Sequence, residues 1–194
     1  RAFSIAHRVE REFSTGLGDV TALAAGGVER RISPGAPFSG DLLNRGPGAS
    51  EGWTKKIEVI LVWKEDSGKH TSSYIDDDMW KKSISSAGIK QMKCLLSGKW
   101  NEDRWEELLE RSEIFVDESG LLQDSLRLEL LKEVEKIIMQ SDLNVKPLLC
   151  LLGKSLVIVP KNIKKINNLD YNALIDSLQD AGFDTVKTNV AKLF

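Results

Sequence analysis

The chain has 194 residues, 41% hydrophobic and 29% charged, with 27 lysines and arginines against 29 aspartates and glutamates. That length buries about two thirds of the unfolded surface, so one sizeable core forms without metal or disulfide staples. A formal net charge of −2 excludes a general attraction for polyanions, and nucleic acid is not the expected partner.

Composition changes near residue 53. Before it stand six arginines, no lysine and nine of the 15 glycines; after it stand 18 lysines and only Arg104, Arg111 and Arg127. Two parts are therefore expected: residues 1–53, a helical segment with a long Gly/Pro-rich arm, and residues 54–194, a single α/β-type domain. Either the first part is an extension or the chain joins two sources.

Residues 3–14 predict a short amphipathic helix, with Phe3, Ile5, Ala6, Val9 and Phe13 toward one side and Arg8, Glu10, Arg11 and Glu12 outward. Thr15-Gly16-Leu17-Gly18 ends it, and Val20 to Ala25 forms a weak helical piece closed by Gly26-Gly27. From Arg30 to Gly52 the density of glycine and proline predicts a long loop with little regular structure, serving as a binding arm.

Lys56 to Lys64 is the clearest element. Ile57, Val59, Leu61 and Trp63 alternate with Glu58, Ile60, Val62 and Lys64, as in a central strand buried on both faces through its middle. Such burial makes parallel order plausible. Asp76 to Asp78 then open a helix, where carboxylates favour the positive end of the dipole. Gly88 is expected to break it, leaving a second piece from Ile89 to Leu96. Asn101 caps a helix carrying Trp105, Leu108 and Leu109 inward, and Ile114-Phe115-Val116 reads as a short strand.

Leu122 to Met139 carries the best helical stripe: Leu122, Leu126, Leu130, Leu131, Val134, Ile137 and Ile138. Val145 to Leu152 is ambiguous between helix and strand. Leu156 to Val159 reads as a strand stopped by Pro160. Asp170 caps a helix ending at Gly182, and Phe183 to Val190 returns as a final strand. The fold class is thus α/β or α+β, a small mixed sheet of about three to five strands packed by helices behind a Gly/Pro-rich N-terminal extension.

Chemical signatures are sparse. His7 and His70 have no partner at metal-ligand spacing, so no metal site and no cofactor is called for. His70, Asp76 and Asp77, following the first strand of the domain, are the weak catalytic candidates, placed where α/β enzymes open clefts. Consecutive carboxylates diverge around a helix axis, which favours capping for Asp76 to Asp78. Gly153-Lys154-Ser155 lacks the earlier glycine of a phosphate loop, and a strand follows where a helix should begin. Gly16-x-Gly18 has no strand before it and no usable helix pattern after it. Lys154, Lys161, Lys164 and Lys165, with Lys187 and Lys192 further on, form an anion-binding candidate without arginine or interleaved aromatics.

Cys94 and Cys150, among apolar neighbours, read as free buried thiols and point to the cytoplasm or another reducing intracellular compartment. No run approaches the roughly 20 apolar residues that span a bilayer, and a targeting segment ahead of Arg1 is not readable from this sequence. The expected function is a non-catalytic protein–protein interaction or assembly module using its extended arm, with Phe3, Val9, Phe13, Pro37, Phe38 and Trp53 as the interface. Its partner is another protein or a second copy. Two alternatives stand beside it: an enzyme of unidentified reaction with a cleft at strand-end loops, and a regulatory anion-binding domain using the C-terminal lysines.

Overall fold

The computed structural model describes residues 2–13, 19–33, 48–64, 77–151, 153–164 and 170–190. It is a mixed α/β structure with a two-stranded and a four-stranded antiparallel sheet. The chain divides into two compact units: Arg1–Lys55, Lys69–Asp103 and Ala191–Phe194 form the first, Lys56–Gly68 and Arg104–Val190 the second. No helix among the described residues is long and apolar enough to cross a membrane.

The first unit starts with helices α1 (Ala2–Phe13) and α2 (Asp19–Ala25). Gly26 and Gly27 follow with φ of 70° and 62°. Two successive left-handed residues are costly with a side chain, so this turn requires glycine. It leads into β1 (Val28–Ser33), which pairs antiparallel with β2 (Ala49–Trp53) through a bulge between Arg31 and Ser33. Ordered strands thus occupy both ends of the stretch expected to be irregular, and residues 34–47 lie outside the described residues. The alternation was hidden because the two inward positions of β1 are Val28 and a charged residue, Arg30.

Helix α3 (Asp78–Leu95) runs unbroken through Gly88, contrary to the expected interruption. An internal glycine costs about 1 kcal/mol against alanine. That is too little to break a long helix anchored by buried Ala87, Gln91 and Leu95.

In the second unit a 3-10 turn, Glu102–Arg104, straddles the unit boundary and leads into α4 (Trp105–Glu118). Ile114 to Val116 belong to this helix. Trp105, Leu109 and Val116 are buried at helical spacing, and three β-favouring residues do not outweigh that packed face. A second 3-10 turn, Leu121–Gln123, precedes α5 (Ser125–Met139), whose N-cap Asp124 accepts a hydrogen bond from the Leu126 N–H. Strands β3 (Glu58–Trp63), β4 (Val145–Leu149), β5 (Ser155–Pro160) and β6 (Asp184–Asn189) form a sheet in the order β4-β5-β3-β6, with α6 (Asn172–Asp180) preceding β6.

Every pairing in this sheet is antiparallel, which corrects the expectation of parallel order. The near-continuous apolar run in β3 arises from its inner place between β5 and β6, with Val59, Ile60 and Val62 buried. Ile60, Val62, Leu156 and Ile158 pack with Leu130, Val134 and Ile138 of α5, Leu174 and Leu178 of α6, and Tyr171 and Phe183. On the sheet's other face Leu61 remains 37% exposed.

Candidate functional site

The most elaborate polar arrangement lies in the first unit, around Arg30. Its Nη1 donates to the Leu95 carbonyl (2.5 Å) and its Nη2 to the Gly98 carbonyl (3.0 Å). Its Nε donates to Glu51, and the guanidinium lies 5.3 Å from the centroid of the Trp100 ring. The Trp100 indole N–H in turn donates to the Val28 carbonyl at 2.9 Å. Three guanidinium nitrogens are thus engaged with the protein itself, and the cluster ties β1 to β2 and to the end of α3. It positions; it is not a free anion receptor.

Next to it in sequence, α2 carries two groups of another kind. Thr21 is 1% exposed, and its hydroxyl has no hydrogen-bond partner. Leaving such a group unsatisfied costs about 1–3 kcal/mol. Asp19, in the first turn, is exposed, directly after Thr15-Gly16-Leu17-Gly18. Residues 14–18 lie outside the described residues. Several other carboxylates of this unit are committed, Glu51 to Arg30, Glu102 to Lys55 at 2.6 Å, and Asp77 to the start of α3, while Asp78 in the first turn of α3 is exposed like Asp19.

His70 and Asp76 lie outside the described residues. Asp77 is the N-cap of α3, its carboxylate accepting from the N–H groups of Met79 (2.8 Å) and Trp80 (3.0 Å). Lys154 precedes β5 whereas Lys161 and Lys164 follow it, so they stand at opposite ends of a strand about 20 Å long; Lys165 lies outside the described residues. Lys154 shares a surface cavity of about 130 Å³ with Lys64, Glu129 and Glu133. There the Lys64 ammonium pairs with Glu133 at 2.6 Å and sits 4.3 Å from the centroid of the Phe183 ring. That cavity is a mixed-charge surface.

Among the interface candidates, Phe3, Val9 and Phe13 are exposed along α1, at 37%, 46% and 67%. Trp53 ends β2 half-buried, and Pro37 and Phe38 lie outside the described residues. Both cysteines are free thiols and only half-buried. Burial pushes the Cys150 thiol up despite a counteracting hydrogen bond with Ser155, so it stays protonated near neutrality and is a poor nucleophile.

Sequence reasoning missed Asp19, Thr21 and Arg30. A usable signal existed for Asp19: a glycine-rich run followed at once by an acid and a helical segment. The weak helical piece expected from Val20 to Ala25 is α2, which begins at Asp19 directly after Gly18.

No family profile matches the chain. Over 138 residues it is 30% identical to the pantoate kinase of Thermococcus kodakarensis, an alignment that takes in 71% of this chain and 41% of that protein. The whole chain superposes on a solved phosphotransferase related to the CoA biosynthesis pathway, with a TM-score of 0.60 and 25% identity, covering 54% of it. The chain therefore spans about half the length of that protein, and the aligned part less than half of the kinase. These likenesses overturn the expectation of a non-catalytic binding and assembly module, since both proteins are phosphoryl-transfer enzymes by name. They favour the enzyme alternative.

Proposed function

We propose that this chain supplies part of a kinase that transfers a phosphoryl group to pantoate. The observation that carries the reading is the 30% identity to a pantoate kinase over 138 residues. The full-chain superposition on a CoA-pathway phosphotransferase also supports it.

Phosphoryl transfer asks little covalent chemistry of a protein. It asks for oriented donors around the phosphates and a carboxylate that positions or deprotonates the attacking hydroxyl. Asp19 fits the second role best among the described residues of the first unit. It is exposed, lies in the first turn of α2 and follows Thr15-Gly16-Leu17-Gly18 in the sequence. Arg30, Trp100 and the Gly26-Gly27 turn hold the strand that leaves α2. Small charged substrates and two free thiols support an intracellular, reducing location.

The test is pantoate-dependent formation of ADP from ATP and Mg²⁺ by the whole protein that carries this chain, with pantoate binding followed by calorimetry. We expect turnover that requires pantoate, and a drop of about a hundredfold or more in kcat for Asp19→Asn with its fold intact. Absence of both pantoate-dependent turnover and pantoate binding sinks the reading. Full activity in Asp19→Asn removes Asp19 from it while leaving the kinase itself standing.

A further inference from the structure

The four-stranded sheet ends in two edge strands, β4 and β6, that differ in chemistry. Pro147 sits in the middle of β4 and offers no N–H, which blunts that edge. Strand β6 carries no proline, its charged residues are Asp184 and Lys187, and all of its residues but Thr185 are exposed. Its hydrogen-bonding phase follows from one bond. The Val190 N–H donates to the Ile57 carbonyl at 3.0 Å, continuing the register that sets Glu58 opposite Asn189. Antiparallel pairs alternate, so Thr188, Val186 and Asp184 exchange bonds with β3, while the N–H and C=O groups of Thr185, Lys187 and Asn189 point away from it.

A row of apolar side chains leads to this edge. Leu148 opposes Val157, Val157 opposes Leu61, and Leu61 opposes Val186, spanning all four strands on one face. Leu148 and Val157 are half-buried, and exposure reaches 37% at Leu61 and 46% at Val186.

We propose that a second copy of this chain pairs with β6, antiparallel about a two-fold axis through Val186, to make one continuous sheet. A two-fold axis perpendicular to a sheet keeps its faces, so a strand can pair with its own copy only in registers centred on a single residue or shifted by whole residues from one. Centring on Lys187 sets two ammonium groups opposite each other. Centring on Thr185 sets Val186 against Asp184. Centring on Val186 opposes valine to valine, prolongs the apolar row into the partner, and sets Thr185 opposite Lys187, where their outward N–H and C=O groups exchange hydrogen bonds. The copy is favoured over an unrelated strand because β6 carries one acid and one base, Asp184 and Lys187, and so does not repel itself.

Sedimentation equilibrium on the purified chain tests this, and its readout is independent of any kinase activity. The expected mass is twice the chain's 21.6 kDa. Lys187→Pro deletes an outward N–H that β3 does not use, and Val186→Lys opposes two charges on the axis. Each is expected to raise the dimer dissociation constant tenfold or more while circular dichroism keeps the wild-type spectrum. If Lys187→Pro misfolds, Val186→Lys decides alone. A wild-type chain that stays at 21.6 kDa at all concentrations overturns the proposal. So does a doubled mass that survives in both folded variants, or an assembly larger than two chains.

Discussion

The two units solve the same problem, fixing a small antiparallel sheet against helices, with opposite materials. In the second unit, Ile60, Val62, Leu156 and Ile158 meet Leu130, Val134, Leu174 and Leu178, and dispersion and water release hold the layers together. In the first, the inward position of β1 is Arg30, and directional bonds to Glu51, Leu95 and Gly98 take the place of an apolar plug. An apolar core tolerates a small shift of its members. A guanidinium with several fixed partners does not, and it holds β1 in one place relative to α3.

Three substitutions break or sharpen that contrast, the largest effect first. Ile60→Ala removes a fully buried side chain from the second unit. It is expected to cost roughly 4 kcal/mol by urea denaturation, with faster amide exchange concentrated in β3, β5 and β6. Equal acceleration in α3 and β1 shows instead that the two units open together. Arg30→Met keeps much of the volume but orphans the Leu95 and Gly98 carbonyls, for an expected loss of roughly 3 kcal/mol. Unchanged stability in that variant means water takes over the carbonyls and the polar cluster is dispensable.

The smallest effect concerns Tyr171, a polar group inside the apolar unit. Burial, helped by the nearby Glu58 charge, pushes its phenol up to about 12 from the usual 10.0. Below pH 10 the phenol is neutral in both folded and unfolded chains, and stability is unaffected. Between pH 10 and 12 the unfolded chain loses this proton while the folded one keeps it, so stability falls as pH rises. Tyr171→Phe is expected to abolish that part of the alkaline decline and to cost little at pH 7, since the hydroxyl's bond to the Glu58 carbonyl is long at 3.4 Å. An unchanged slope between pH 10 and 12 rejects the assignment.

What could be read in the sequence follows the same division. In the second unit the apolar period announces β3, α5, β5 and α6, because packing there depends on which residues are oily. Its antiparallel order was not legible, since an inner antiparallel strand and a parallel one are covered alike. In the first unit α1 and the Gly26-Gly27 closure of α2 were legible. The β1–β2 pair was not, because a buried arginine breaks the alternation that marks a strand. The candidate site was least legible of all. Asp77, one of three consecutive acids, is spent on the helix cap that the sequence favoured for it, whereas Asp19 stands singly after glycines and gave no cluster to notice. The likeness to kinases was carried by no motif that spacing alone could recognise.

The place of β3 has a consequence for how the protein is made. Leu61 pairs with Val157 on one side and Val186 on the other, so both neighbours of this strand leave the ribosome long after it. At about 5–20 residues per second, its second partner arrives roughly 6–25 s later. Through that interval Val59 to Trp63, the most strongly β-forming run of the chain, lacks at least one of its sheet partners. Long-range pairings of this kind also slow refolding. The nascent chain therefore exposes a sticky segment early and hides it last, which makes β3 the place where a chaperone matters most.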